Sequence, residues 1–162
     1  MGLSIKVSSR AAELLLKEAR SRGLHIQDIV LEKLEADLDP KDKAQDYMEV
    51  SALLLNEAKQ ELDKGDLRQA SEKIWGAAAL AIKAHAYWNR GIRLSSHSEL
   101  WEYKEELVKA FGNWVRDSWT AAVHMRINFY EGWATKNDVK DAYEKVSRLI
   151  KEIRKEIKPE IR

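Results

Sequence analysis

The chain of 162 residues contains no cysteine, only two prolines and only seven glycines. The absence of cysteine excludes disulfide bonds, thiolate zinc sites and cysteine nucleophiles. The glycines stand apart from one another, which excludes a glycine-rich phosphate-binding loop. The remaining composition is rich in alanine, leucine, glutamate and lysine, and with so few prolines it favours helices.

The chain also lacks an excess of charge of either sign, because 28 basic residues stand against 27 acidic ones. Such a balance gives no overall field toward nucleic acid or a membrane, so any contact of that kind has to be local. The most apolar stretch, "IWGAAALAIKAHAYW", is interrupted by Lys83 and is too short to span a bilayer. The N-terminus does not resemble a secretion signal. We therefore expect a cytoplasmic protein without membrane contact.

Hydrophobic residues recur at helical spacing along almost the whole chain, which predicts an all-α fold. Glycines mark helix ends, and capping residues mark helix starts at Asp39, Asp66, Ser96 and Thr135. The helix predicted at about 67–90 is apolar on nearly every side, so we expect it at the centre. We divide the chain into an N-terminal helical pair, 1–38, and an antiparallel helical bundle, 39–162.

The densest run of chemically capable side chains is "VHMRINFYEGW", residues 123–133. His124, Asn128 and Glu131 fall on one face of the predicted helix, where metal ligands could stand. Their spacing matches no zinc template, however. We therefore expect no metal, and no other cofactor is indicated.

A neighbouring face of the same helix carries Arg126, Tyr130 and Trp133. Arginine beside aromatic rings is suited to hold a phosphate and to stack a base. With Asn128 and with His97, at the start of the fifth predicted helix, these aromatic residues are the ligand-binding candidates. The alternative is that the rings belong to the core and that Arg126 pairs with a carboxylate. His97 has the alternative role of holding a carbonyl or carboxylate near the start of its helix.

The first 38 residues suggest a different function. An alternating segment with Leu3, Ile5 and Val7, then a helix, a glycine and a second helix, resembles the ribbon-helix-helix DNA-binding unit. In that unit strands from two chains pair and read the major groove, so Ser4 and Lys6 would face the bases. The six basic and six acidic residues of 1–38 leave no net charge to neutralise phosphates.

Three stretches in order carry a more specific resemblance: "GDLRQASEKIWGAAALAIKA", "RGIRLSSHSELW" and "INFYEGW". They resemble the archaeal PaREP family of small all-helical proteins over about residues 45–150. That family in turn resembles the HEPN class of helical bundles, which often dimerise and include ribonucleases and partners of nucleotidyltransferases. The resemblance implies a HEPN-like antiparallel bundle that forms a homodimer.

HEPN ribonucleases carry an arginine followed a few positions later by a histidine and often by a tyrosine. Laid on this sequence, Arg126 takes the arginine position, Glu131 the histidine position and Trp133 the tyrosine position. Cleavage without a metal needs a group that removes the 2′-hydroxyl proton near neutral pH, which suits imidazole better than carboxylate. His124 points elsewhere on the helix, so only a second chain could bring it to Arg126.

The resemblance therefore implies a non-catalytic or weakly catalytic homodimer that binds RNA, a nucleotide or a partner protein. One alternative is a metal-independent, toxin-like ribonuclease using the candidate catalytic residues Arg126 and Glu131, with His124 as a substitute base. The other is a DNA-binding regulator acting through the ribbon-helix-helix-like N-terminus.

Overall fold

The protein is all-α in the computed structural model, which describes residues 2–158. This confirms the fold class predicted from the hydrophobic spacing. The helices of this part of the chain are α1 (Ser9–Arg22), α2 (Ile26–Leu34), α3 (Pro40–Lys64), α4 (Leu67–Arg90), α5 (His97–Phe111), α6 (Trp114–Glu131) and α7 (Lys136–Glu156).

The helix starts predicted from capping residues are confirmed. The capping side chains are those of Asp39, Asp66, Ser96 and Thr135. Each of them accepts a hydrogen bond from a backbone N–H in the first turn of its helix. Thr135 and Asp138 form a reciprocal capping box, in which each side chain accepts from the other's backbone. Local chemistry of this kind fixes where α3, α4, α5 and α7 begin.

Helix α4 is the centre of the bundle, as predicted from its apolar circumference. It forms an antiparallel hairpin with α3, and α6 and α7 pack against its other sides. From Ile74 to Tyr87 every residue is buried, including Lys83 and His85. No helix among residues 2–158 is long and apolar enough to cross a membrane.

The alternating segment at the N-terminus differs from the predicted strand. Residues 2–8 form neither helix nor strand, and Leu3, Ile5 and Val7 are all exposed. A strand needs backbone hydrogen bonds to a neighbouring strand, and the described residues contain no strand that could pair with the segment. In a ribbon-helix-helix protein the neighbour comes from a second chain, so that hypothesis stays a prediction.

Two buried polar pairs attach α2 and its preceding turn to α4. The Nζ of Lys83 lies 2.6 Å from Oδ1 of Asp28, and both side chains are fully buried. One turn of chain earlier, the buried ring of His25 pairs with Glu72. Burial of an ion pair requires good geometry because each charge loses its water.

The division of the chain at 38/39 stays a proposal.

Candidate functional site

Arg126 lies half-buried in the middle of α6 and faces an aromatic side chain. Its Cζ is 5.7 Å from the centroid of the Trp75 ring, which is a cation–π contact. Among residues 2–158 no carboxylate lies within ion-pair distance of its guanidinium. The alternative interpretation, in which Arg126 pairs with a carboxylate, therefore has no support among the described residues. Within residues 2–158 the charge of Arg126 contacts the Trp75 ring and has no carboxylate partner.

His97 is the first residue of α5 and lies close to Arg126. Its Nε2 accepts a hydrogen bond from Nε1–H of Trp101 at 2.8 Å, so in the neutral ring the proton is on Nδ1. Burial, and after it the positive charge of Arg126, lower the pKa of His97, while the Gly23 backbone opposes this. The imidazole is consequently neutral at pH 7 and has no nitrogen ready to accept a proton.

The turn between α1 and α2 closes over this pair. A Cβ at Gly23 would lie 2.7 Å from the Cβ of His97 and 3.5 Å from Nη2 of Arg126. Gly23 also has a φ of 66°, which ends α1 in the left-handed conformation. Glycine is thus required here both by the turn and by the approach of His97. The turn therefore packs directly against His97 and Arg126.

Glu131 and His124 lie apart from this group. Glu131, the last residue of α6, is exposed, and its carboxylate accepts a hydrogen bond from Nε1–H of Trp133 at 2.9 Å. The exposed ring of His124 stands edge-on to the Trp133 ring, with 6.4 Å between centroids. The structure joins Glu131 and His124 to Trp133 and does not bring either into contact with Arg126.

Asn128 has a structural position inside the bundle. Its Nδ2 donates to Oγ of Ser71 at 2.8 Å, and its Oδ1 accepts from the backbone N–H of Ala134 at 2.7 Å. The side chain is only 1% exposed. A ligand would have to displace both hydrogen bonds to use this amide, which instead ties α6 to α4 and to the start of α7.

Tyr130 follows Arg126 by one turn of α6 and is 43% exposed. The guanidinium of Arg20, on α1, lies over its ring at 4.9 Å from the centroid. Arg68, at the start of α4, donates to the Phe129 and Tyr130 carbonyls at 2.9 and 2.6 Å. Tyr130 therefore stands among cations from two other helices.

The candidate residues thus fall into separate groups. The first group is Arg126 with His97. The second, exposed group is Glu131, His124 and Trp133. The sequence did not reveal that Trp75 and Trp101 lie next to the first group. These tryptophans lie on α4 and α5, and no local spacing relates them to α6. Among the described residues no three acidic or histidine side chains converge where a metal ion could bind.

The fold and this arrangement define an all-α helical bundle that holds an arginine against a tryptophan ring, with no carboxylate partner among the described residues. The chain belongs to the archaeal PaREP1/PaREP8 family, whose family model matches residues 46–150, more than half of the sequence. This confirms the family resemblance predicted from the three stretches. No curated protein and no solved structure matches the chain significantly.

Proposed function

We propose that this protein is a HEPN-like cytoplasmic homodimer that binds RNA or a nucleotide through Arg126, with little or no catalysis. The observation that carries the proposal is the state of Arg126. Its charge is half-buried against Trp75, beside the neutral His97, and has no carboxylate partner in residues 2–158. A guanidinium held in this way can receive a phosphate without first breaking an ion pair.

Base recognition is supported by the rings around Arg126. Trp101 is over a third exposed and donates its N–H to His97, which feels the charge of Arg126, so the orientation of the Trp101 ring is fixed. Aromatic faces next to a cation are the usual elements of single-strand recognition, because every base can stack on them. The site therefore supports binding of a phosphate with an adjacent base.

The non-catalytic form of the proposal is supported by the surroundings of Arg126, where no described side chain is free to act as the general base of RNA cleavage. Removal of the 2′-hydroxyl proton requires an acceptor near the phosphate-binding arginine. Nε2 of His97 already accepts a hydrogen bond from Nε1–H of Trp101, and the Glu131 carboxylate accepts one from Trp133, away from Arg126. A ribonuclease using Arg126 and Glu131 would need these contacts to rearrange.

The proposal is tested by fluorescence anisotropy with labelled single-stranded RNA. Arg126→Ala is expected to weaken binding by roughly tenfold and to reduce the salt dependence, because one phosphate contact is lost. Arg148→Ala is the matched control, since Arg148 also lies over a tryptophan ring, at 4.0 Å from that of Trp114. Its affinity for RNA should equal that of the wild type.

Gel analysis of the same RNA separates the alternatives. Intact RNA after long incubation agrees with the proposal. Cleavage that disappears in Arg126→Ala and in Glu131→Ala would replace it with the ribonuclease function. No binding of RNA or nucleotide by the wild-type protein would refute it, and salt-dependent binding of duplex DNA that needs residues 1–8 would favour the regulator.

A further inference from the structure

A cavity of about 700 Å³ opens between α1, the start of α4 and the end of α6. Its volume falls within the range of roughly 300–1,000 Å³ that is typical of small-molecule sites. The residues that line it combine apolar and cationic side chains: Leu16, Lys17, Arg20, Asp66, Arg68, Gln69, Phe129 and Tyr130. A cavity of this size suits a small molecule better than a helix or a folded partner.

Three cationic side chains line the cavity against a single carboxylate. Lys17, Arg20 and Arg68 form no ion pair with any carboxylate of residues 2–158. Asp66 is the single carboxylate among the lining residues, and its Oδ1 already accepts the Gln69 N–H that caps α4. The cavity therefore carries excess positive charge, which favours an anionic ligand.

Arg68 is held in place before any ligand arrives. Its Nε and Nη2 donate to the carbonyls of Phe129 and Tyr130 at the end of α6, which have no partner within their own helix. These bonds leave the Nη1 group available to a ligand, because a guanidinium has more donors than the two used. A fixed cation loses less conformational entropy on binding than a mobile one.

The apolar part of the lining is aromatic. The rings of Phe129 and Tyr130 meet edge to face, with 5.0 Å between their centroids. Arg20 covers the Tyr130 ring at 4.9 Å, so a cation and an aromatic surface are adjacent within the cavity. Such a surface favours a ligand with a flat apolar body, because a water-soluble polyanion has no apolar part to pack against the rings.

We propose that this cavity binds a small amphipathic anion, which is a flat apolar molecule with a single carboxylate or phosphate group. The anionic group meets Arg68, Lys17 and Arg20, and the apolar body lies against Phe129, Tyr130 and Leu16. This inference goes beyond the proposed function and does not depend on it, because a small-anion site can exist in a chain that never binds RNA. Arg126 is not among the residues that line the cavity.

Isothermal titration of the full chain with naphthoate, naphthyl phosphate and uncharged naphthamide tests the proposal. At least one anion is expected to bind saturably at one site per chain, with naphthamide roughly tenfold weaker or more, because it lacks the charged contacts. Comparison of the dissociation constants of naphthoate and naphthyl phosphate shows whether the site prefers a carboxylate or a phosphate group. Retention of the fold is checked by thermal unfolding of each variant.

The double variant Lys17→Gln/Arg20→Gln should weaken anion binding by roughly tenfold and leave naphthamide unchanged, because only charge is removed. Lys140→Gln/Lys151→Gln removes the same charge from exposed positions of α7 and should have no effect. Tyr130→Ala should weaken the binding of all three probes, because each of them packs its naphthyl ring against Tyr130. Absence of anion binding, naphthamide binding as tight as that of the anions, or equal effects of the two double variants would overturn the proposal.

The two proposals fail in distinguishable ways. If Arg126→Ala loses RNA and retains naphthoate or naphthyl phosphate, the cavity and the RNA site are separate, as proposed. If the anions bind and RNA does not, only the proposed function is refuted. If RNA binds and the anions do not, only the cavity proposal is refuted.

Discussion

At the scale of single residues, Glu35 is a carboxyl group in an unfavourable place for charge. It ends α2 and lies near Asp46 of α3. Burial first, and then Asp46, raise the pKa of Glu35 to about 8, while Lys43 opposes this. In the unfolded chain the same group titrates near its ordinary value of 4.5. The folded chain therefore holds a proton over a range of pH in which the unfolded chain has released it.

We predict from this that stability falls as the pH rises. The contribution of Glu35 is fully present below a pH of about 4.5 and is lost as the pH passes through about 8. Glu35→Gln, which cannot ionise, should flatten the dependence in this range, as measured by urea unfolding at several pH values. Glu13→Gln, at an exposed position, is the control. An unchanged pH profile in Glu35→Gln would contradict the assignment.

The residues that could be predicted at this scale are those with local signals. Arg126 and its aromatic neighbours on α6 stand out in the sequence because they crowd into one stretch. Its contacts with Trp75 and His97 could not be predicted, because they come from α4 and α5 and depend on how these helices dock. The same holds for the cavity. Lys17 and Arg20 share a face of α1, but Arg68 reaches them from another helix.

At the scale of helices, Gly76 shows why α4 has small residues on one side. A Cβ at this position would lie 2.6 Å from the ring of His25. The ring is buried and pairs with Glu72 one turn away, so it has little freedom to move. Small residues on a helix generally let neighbouring backbones approach closely. Here the glycine makes room for a side chain that attaches the N-terminal helical pair to α4.

Gly76→Ala is therefore expected to destabilise the protein although alanine is the better helix former by about 1 kcal/mol. Overpacking against His25 should cost roughly 1–3 kcal/mol, measured by chemical denaturation. In a His25→Ala background the ring is gone, so the same change should be neutral or stabilising. Equal effects of Gly76→Ala in both backgrounds would show that the ring contact is not the cause.

The helices themselves could be predicted well because their limits are set by neighbouring residues. Thr135 and Asp138 define the start of α7 without reference to the rest of the chain, as Asp39 does for α3. The segment at residues 2–8 could not be settled in this way. Its alternation suits a strand, but a strand also needs a partner, and alternation alone does not supply one.

At the scale of the whole molecule, exposed apolar side chains are concentrated at one end of the sequence. Of the twelve large hydrophobic side chains that are exposed among residues 2–158, seven belong to the first 38 residues. They are Leu3, Ile5, Val7, Leu14, Leu16, Leu34 and Leu38. Contiguous exposed apolar groups are typical of a contact surface, and these seven share one short stretch of the chain. Apart from Leu16, which lines the cavity between α1, α4 and α6, we expect the interface of the proposed homodimer to include them.

Sedimentation equilibrium tests this expectation. The wild-type chain should form a dimer, and Leu3→Ser/Ile5→Ser should raise its dissociation constant by roughly tenfold or more, because apolar area is no longer buried. The matched control is Ile92→Ser/Ile127→Ser, which changes two exposed isoleucines outside the first 38 residues. If the control weakens the dimer and the N-terminal variant does not, the interface lies elsewhere on the bundle.

The buried pair of Lys83 and Asp28 also bears on the order in which the protein is made. The two residues are separated by 55 positions, and ribosomes release the N-terminal part first. Helices α1 and α2 therefore emerge while the lysine that will anchor them has not been synthesised. During that interval their apolar side chains have no α4 to cover them. The first 38 residues thus need protection in the nascent chain until the centre of the bundle has been translated.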